Sequence, residues 1–541
     1  MTGGEQRPVP EGYLGTTAQI TSGPAPELVE AGYALEIADA PLLHRGLTLA
    51  DLAHLVELTD CGALARDEAA PLCAVLLDVL DKPAADFPYD PVYGDTYNSR
   101  ERELERTLGP AAGRLHLGRT RREAGRIAFR LAVRDKLLGL HTDVAAFADE
   151  VARQAREHAS TLWADHTYLQ PAQPSTFGHY LGGFAEQAVR HLDRIEAAYT
   201  RADVSPGGAG AVGGTRLPVD RARLANRLGF GSVGPHTRDA MWSVDALADA
   251  VSAAAQAVAT IGQLAADLEI FASPAFGYVS LDASLCRASV LMPQKRNPYA
   301  LPVLRGGAAT LIGRLTGVLA TGLTPSARTD NWLYAYSEVA GSLDLASRLV
   351  RLGRAVTAGL SVDAAVLAEE AVRHFAAASD LAEELSLRFR LDYRSAYRVV
   401  GLAVASTLSR GGTELTVPAV RAAAEQITGA PLPVTADLLA AATDPSSAVL
   451  ARTAPGSASP ARVREHARRI RRRVAAARRW NSTHRARIAQ AEAGLIQAAR
   501  ALTSGQIPPP TAADPPTAAE APRSTGNMIR TDSGSTPRTS G

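Results

Sequence analysis

From Phe177 onward, apolar side chains return in alternating steps of four and three: Phe177, Leu181, Phe184, Ala188, Leu192 and Ile195. Residues three and four apart lie above one another on a helix, so this spacing predicts one buried helical face. A second run holds a seven-residue rhythm through Val244, Leu247, Val251, Ala254, Val258, Ile261, Ala265 and Leu268, and stops before Pro274. Small Ala and Gly residues in both segments let neighbouring helices approach closely, which predicts long helices in a bundle. From Asp363 the helical pattern continues in shorter pieces broken by Gly411, Gly412, Pro418 and Pro431, as in a separate small helical domain. Its last helix, about Pro460 to Ala501, contains ARRIRRRVAAARR, yet Val463, Ile470, Val474, Ile488 and Leu495 form one apolar stripe. The arginines are therefore read as a solvated face and not as a nucleic-acid patch.

Composition agrees with the helical pattern. The 541 residues are 46% hydrophobic but only 5% aromatic, and exceed what one core serves. Lys plus Arg is 57 and Asp plus Glu is 56, so nothing in the charge draws the chain to nucleic acid or membrane. Cys61, Cys73 and Cys286 are too scattered for a disulfide framework or a zinc site and suit a reducing cytoplasm. No apolar run reaches membrane-spanning length, and MTGGEQRPVP lacks the apolar stretch of a secretory leader. A cytoplasmic protein is expected. Residues 1–25 read as an arm, and 504–541, rich in Pro, Thr, Ser and Ala, as a disordered tail. Gly208, Gly210 and Gly213 spell a dinucleotide fingerprint, but the residues before them end a helix, so a glycine-rich loop is expected and no cofactor.

The run from Ser289 to Pro298 (SVLMPQKRNP) is where chemistry concentrates. It is non-periodic and stiffened by Pro293 and Pro298, and it offers a Lys and an Asn able to hold a carboxylate. An ordinary surface loop would have the same composition. Met-Pro-Gln-Lys followed by a basic residue and Asn-Pro, however, resembles the signature loop of argininosuccinate lyase and the wider fumarase/aspartase superfamily. Leu115-His116-Leu117-Gly118-Arg119-Thr120-Arg121 is similar to that family's first conserved region, and Leu169-Gln170-Pro171-Ala172-Gln173-Pro174 to its second. The likeness spans roughly residues 25 to 500.

The resemblance implies an all-α protomer of three domains: an N-terminal helical domain at 26–118, a central bundle at 119–362 with the signature loop at 284–298, and a C-terminal helical domain at 363–503. It implies a homotetramer whose active sites draw the three regions from different subunits. The implied reaction is anti β-elimination on a succinyl or aspartyl carboxylate substrate, releasing fumarate and an amine or other nitrogen-containing group. Removing a proton beside a carboxylate builds a second negative charge there, so fixed donors must await it. By the resemblance Ser289 is the base, Lys295 and Asn297 bind a carboxylate, and Thr167, Thr120 and Arg121 complete the cradle; Gln170 falls in the second region. No metal is expected.

Several positions depart from the family. Tyr168 stands where the catalytic His is usual, and Pro302 where a Glu orients that His. Tyr168 is read either as proton donor or as a space-filler, and His166, displaced by two residues, as a substitute titrating group or a structural one. On the substrate side Arg122 replaces an Asn, Tyr97 an upstream His, and Trp332 a Gln, in a segment beginning at Ala327. Aromatic rings there suit a flatter leaving group or better packing. Argininosuccinate is thus not the expected substrate. The alternatives are an addition or cyclisation on another substrate, or a catalytically silent structural homologue.

Overall fold

The computed structural model describes residues 7–324, 332 and 334–504. The tail from residue 505 and the Ala327–Asn331 stretch lie outside the described residues. The principal helices begin with α1 (Ala40–Asp60), α2 (Arg66–Leu80) and α3 (Thr96–Leu108). The bundle consists of α4 (Arg121–Glu157), α5 (Phe177–Ala202), α6 (Asp245–Phe271), α7 (Ala300–Thr321) and α8 (Ala335–Ala358). The all-α class is confirmed, with both rhythmic segments forming α5 and α6. The residues that set those rhythms are buried, apart from Val244, which caps α6.

Four two-stranded sheets decorate the helices among the described residues. Strands β1 (Leu162–Thr167) and β2 (Gln170–Thr176) make an antiparallel hairpin between α4 and α5. Strand β3 (Val279–Leu281) pairs with β6 (Leu360–Val362), while β4 (Arg287–Ala288) pairs with β5 (Arg296–Asn297). A two-residue parallel pairing joins Val204–Ser205 to Ser232–Val233.

Beyond β6, α9 (Ala364–Val372) leads to α10 (Ala378–Phe389), α11 (Tyr393–Ser409), α12 (Val417–Thr428) and α13 (Ala436–Thr443). Helices α10 to α13 share their own small core. The last helix, α14 (Pro460–Thr503), leaves that core and packs along α4, α5, α1 and α2. Its buried Val463, Ile470, Val474 and Leu495 form the stripe the sequence indicates. Several of its arginines face acidic partners: Arg469 meets Glu186, Arg473 meets Asp193 and Glu196, and Arg478 meets Asp149. No described helix is long and apolar enough to cross a membrane.

Candidate active site

The site residues fall into two groups at opposite ends of the bundle. At the lower end, α4 begins immediately after Thr120, whose extended backbone starts the helix. Gly118 just before it has φ +71°, and a Cβ there would lie 2.6 Å from both Leu217 and Thr215, so the bend needs glycine. Asp95 caps α3 by accepting from the Asn98 amide at 2.9 Å. Its other oxygen meets Arg121 at 3.2 Å and Arg122 at 3.8 Å. Arg122 also donates to Glu36 at 2.7 Å. Tyr97 is buried beside them; its hydroxyl accepts from Arg119 at 2.9 Å, and Arg119 in turn holds Asp51. Glu36, Asp95, Tyr97, Arg121 and Arg122 line a narrow cleft of about 30 Å³ together with Tyr336.

Trp332 lies behind the cleft wall. It is fully buried, edge-on to Phe129 and covered by the Arg126 guanidinium 3.9 Å from its ring centre. That placement fits the packing alternative. Tyr336, four residues on from Trp332, reaches the cleft, as Tyr97 does.

At the upper end, the β1–β2 hairpin turns through Tyr168 and Leu169, with φ +55° and +57°. Two positive φ values give the tight turn whose twist matches paired strands, and Asn-Gly is its usual sequence. Holding two larger residues there costs about 1 kcal/mol each. Tyr168 is 98% exposed, and Thr167 and Gln170 face solvent beside it as a cross-strand pair. His166 takes the opposite direction, into an aromatic cluster of Trp163, Phe271, Phe276 and Tyr278. Burial lowers its pKa below the ordinary histidine value. Its Nε2 lies 3.5 Å from the Tyr278 hydroxyl, while its Nδ1 is buried without a partner.

The signature loop is the connection of the β4–β5 hairpin at this same end. Ser289 Oγ accepts from the backbone amides of Leu291 at 3.3 Å and Met292 at 3.1 Å. The Asn297 amide donates to the Arg287 carbonyl at 3.0 Å, fixing its side chain across the hairpin. The Lys295 ammonium is exposed and has no ion pair among the described residues. At the tip, Val290 and Leu291 are almost wholly exposed. Cys286, at the loop's base, is half-buried with no histidine partner among the described residues. Among the described residues no group of His, Cys, Asp and Glu is placed to hold a metal ion.

The glycine-rich loop after α5 is filled by the chain itself. The Gly208 and Gly210 amides donate to the two oxygens of Glu123 at 2.7 and 2.6 Å. Burial raises the Glu123 pKa to about 7 against the pull of Arg119 and those amides. The fingerprint therefore clamps a carboxylate of α4.

Comparison with known proteins follows the same lines. A family model described as lyase matches residues 52–313. The chain is 30% identical to argininosuccinate lyase 1 of Mesorhizobium japonicum over 464 residues, covering 85% of this chain and 97% of that one. It is 29% identical to argininosuccinate lyase of Methanoculleus marisnigri, over 77% of this chain and 84% of that one. The chain belongs to the argininosuccinate lyase family. It is a carbon–nitrogen lyase of the fumarase/aspartase superfamily. An EDDS lyase variant with bound fumarate superposes with a TM-score of 0.80 at 27% identity, covering 90% of this chain and 97% of that one. A muconate lactonizing enzyme of Pseudomonas putida, 21% identical with a TM-score of 0.64, shares the fold over 82% of this chain and 99% of that one. Within this lyase fold the two groups of residues stand far apart in one chain. Helix α4 alone, with 37 residues, separates Arg121 from the β1–β2 hairpin by about 55 Å at the usual helical rise.

Proposed function

We propose that the protein catalyses anti elimination across a C–N bond of a succinyl or aspartyl substrate, releasing fumarate and an amine, and that argininosuccinate is not that substrate. The observation that carries this reading is the β4–β5 hairpin, on which a serine oxygen, a free ammonium and a tethered amide share one short loop. Two backbone amides already donate to Ser289 Oγ, so an alkoxide that has given its proton to solvent before the loop closes meets donors in place and then takes the substrate's proton. Lys295 supplies the compact cation and Asn297 the directed donor for the substrate carboxylate whose charge doubles as its neighbouring carbon is deprotonated. Closure of the apolar Val290–Leu291 tip excludes water and strengthens these interactions.

Tyr168 offers a hydroxyl at the hairpin tip and serves as proton donor to the leaving nitrogen. His166 packs its ring among aromatic residues and keeps a positioning role in the hairpin. Thr167, Gln170, Thr120, Arg121, Arg122 and Tyr97 form the remaining walls. A site needing both ends of the bundle requires other copies of the chain, so the working form is a homotetramer acting in the cytoplasm on a small carboxylate. The change from His to Tyr at 168, from Glu to Pro at 302, and the burial of Trp332 support a leaving group other than arginine.

The test is a panel of N-substituted aspartates assayed for fumarate by ultraviolet absorbance and mass spectrometry. Ser289→Ala should lower turnover by about a hundredfold or more while the assembly stays intact. Unchanged turnover in that variant would remove Ser289 from the mechanism.

A further inference from the structure

Helix α1 touches α4 at Gly46, where a Cβ would come within 2.8 Å of the Ala128 Cα. Beside that contact α1, α4, α8 and α14 surround a cavity of about 580 Å³, with Gly46 and Ala128 in its wall. That size suits a small organic molecule. Leu42, Leu49, Leu131 and Ile488 give the cavity an apolar lining. It is distinct from the narrow cleft at Arg121: along α8, Tyr336 lines the cleft, whereas Ser337, Ala340 and Asp344 line the cavity.

Charge in this wall does not balance. Arg45 pairs with Glu492, and Lys136 with Asp344 at 2.7 Å, both within the wall. Arg134 and Arg227 turn instead to Asp203 and Asp60, which lie outside it. Two further carboxylates of the wall, Asp39 and Asp135, therefore have no ion pair among the described residues. Asp135 is exposed. Asp39 is only 6% exposed, yet its carboxylate has no hydrogen-bond partner among the described residues. It stands at the N-cap of α1, where an aspartate ordinarily turns in to accept from the first amides of the helix. Its side chain makes no such bond. A buried carboxylate without a counter-ion is destabilising, and a cation in the adjoining space relieves it.

We propose that this cavity binds an aliphatic ammonium ion, its charged end against Asp39 and its hydrocarbon body along the leucines of α1 and α4. The ammonium donates a charge-assisted hydrogen bond to a carboxylate that nothing else engages. Its methylene groups leave water for the apolar wall. An alcohol of the same length brings a donor without the charge, and a carboxylate of that length meets two unbalanced negative groups. The order of preference is therefore cation, then alcohol, then anion. The site stands apart from the lyase reading, since none of Tyr97, Arg121, Arg122 and Ser289 lines the cavity.

The experiment is calorimetry on the full chain with hexylamine, 1-hexanol and hexanoate. Burial, and then Glu36, raise the Asp39 pKa to about 7, so the titrations are run at pH 8, where its carboxylate is charged. Hexylamine should bind at least about tenfold more tightly than 1-hexanol, and hexanoate more weakly than either. Shortening the amine to butylamine should weaken binding about three- to fourfold for each methylene removed. Asp39→Asn keeps the shape of the side chain and removes its charge, and should bring hexylamine down to the affinity of the alcohol. Saturating succinate should leave hexylamine binding unchanged. Equal affinity for the three probes, a preference for the amine that survives Asp39→Asn, or displacement by succinate overturns the site. No amine binding by wild type, with an assembly whose mass changes in Asp39→Asn, assigns the carboxylate to a cationic side chain of another copy and overturns it as well.

Discussion

At the scale of single residues, the turn at Tyr168 and Leu169 shows local preference overruled by the strand pairing on either side of it. Neither residue favours positive φ, and the hairpin keeps both there. Leu169→Gly should therefore raise the melting temperature, by an amount matching about 1 kcal/mol, and lower turnover by loosening Tyr168. A calorimetric scan beside an activity assay checks both. Asp39 presents a different tension. Its carboxylate is 6% exposed, beside Glu36, and has no hydrogen bond or ion pair among the described residues. Burial, and then Glu36, raise its pKa to about 7. A raised carboxylate pKa means the native state holds the proton more tightly than the unfolded chain, so stability falls as pH climbs from about 4 toward 7. Asp39→Asn should be nearly neutral at the acid end of that window and stabilising by roughly 4 kcal/mol at pH 8. Equal effects at both pH values would refute the assignment. The long loop motif marked Ser289, Lys295 and Asn297 as one chemical segment in the sequence, and they share the β4–β5 hairpin. The Arg126–Tyr336 contact was not legible there, since it joins residues 210 apart and has no local spacing.

At the scale of elements, the two long rhythms read cleanly because each holds one buried face over many turns, and α5 and α6 follow them. The β1–β2 hairpin was hidden by its composition: Pro171 and Pro174 argue against a strand, and only an exposed, two-stranded ribbon with a bulge near Ala164 tolerates them. Helix α14 was grouped with the C-terminal domain by sequence order, while its apolar stripe finds its partners on α4, α5, α1 and α2. Helix α7 has a face that no described element covers. Pro302, Gly306, Ala309, Gly313, Thr316, Gly317 and Ala320 are exposed along it, with Val303, Ile312 and Leu319 among them. Small residues in such a row allow close approach of another helix, as the bundle of a multi-subunit core requires. Ile312→Arg places a charge at the middle of that face and should shift the assembly toward smaller species in light scattering. A variant that keeps the wild-type mass would show that α7 is not the contact.

At the scale of the whole molecule, the length of α4 decides how a site can be built. Its 37 residues set Arg121, Arg122 and Tyr97 at one end and Tyr168, Ser289, Lys295 and Asn297 at the other. The upper end is fixed by chain contacts as well: β1 meets α6 through Trp163 and Phe271, and the strand before the signature loop follows directly from α6. The lower end is fixed by Arg126 reaching the Met241 carbonyl just before α6 begins. No loop closure spans about 55 Å, so the two groups meet only when the upper end of one chain lies against the lower end of another. Two inactive variants that damage opposite ends should therefore rescue each other. When Ser289→Ala and Arg121→Ala chains are denatured, mixed equally and refolded, about one quarter of the sites combine two intact contributions if subunits assort at random. Fumarate release should return to about that fraction of wild type, whereas each variant refolded alone stays silent. Mixing that restores nothing, with mixed oligomers verified by mass, would mean that each chain completes its own site.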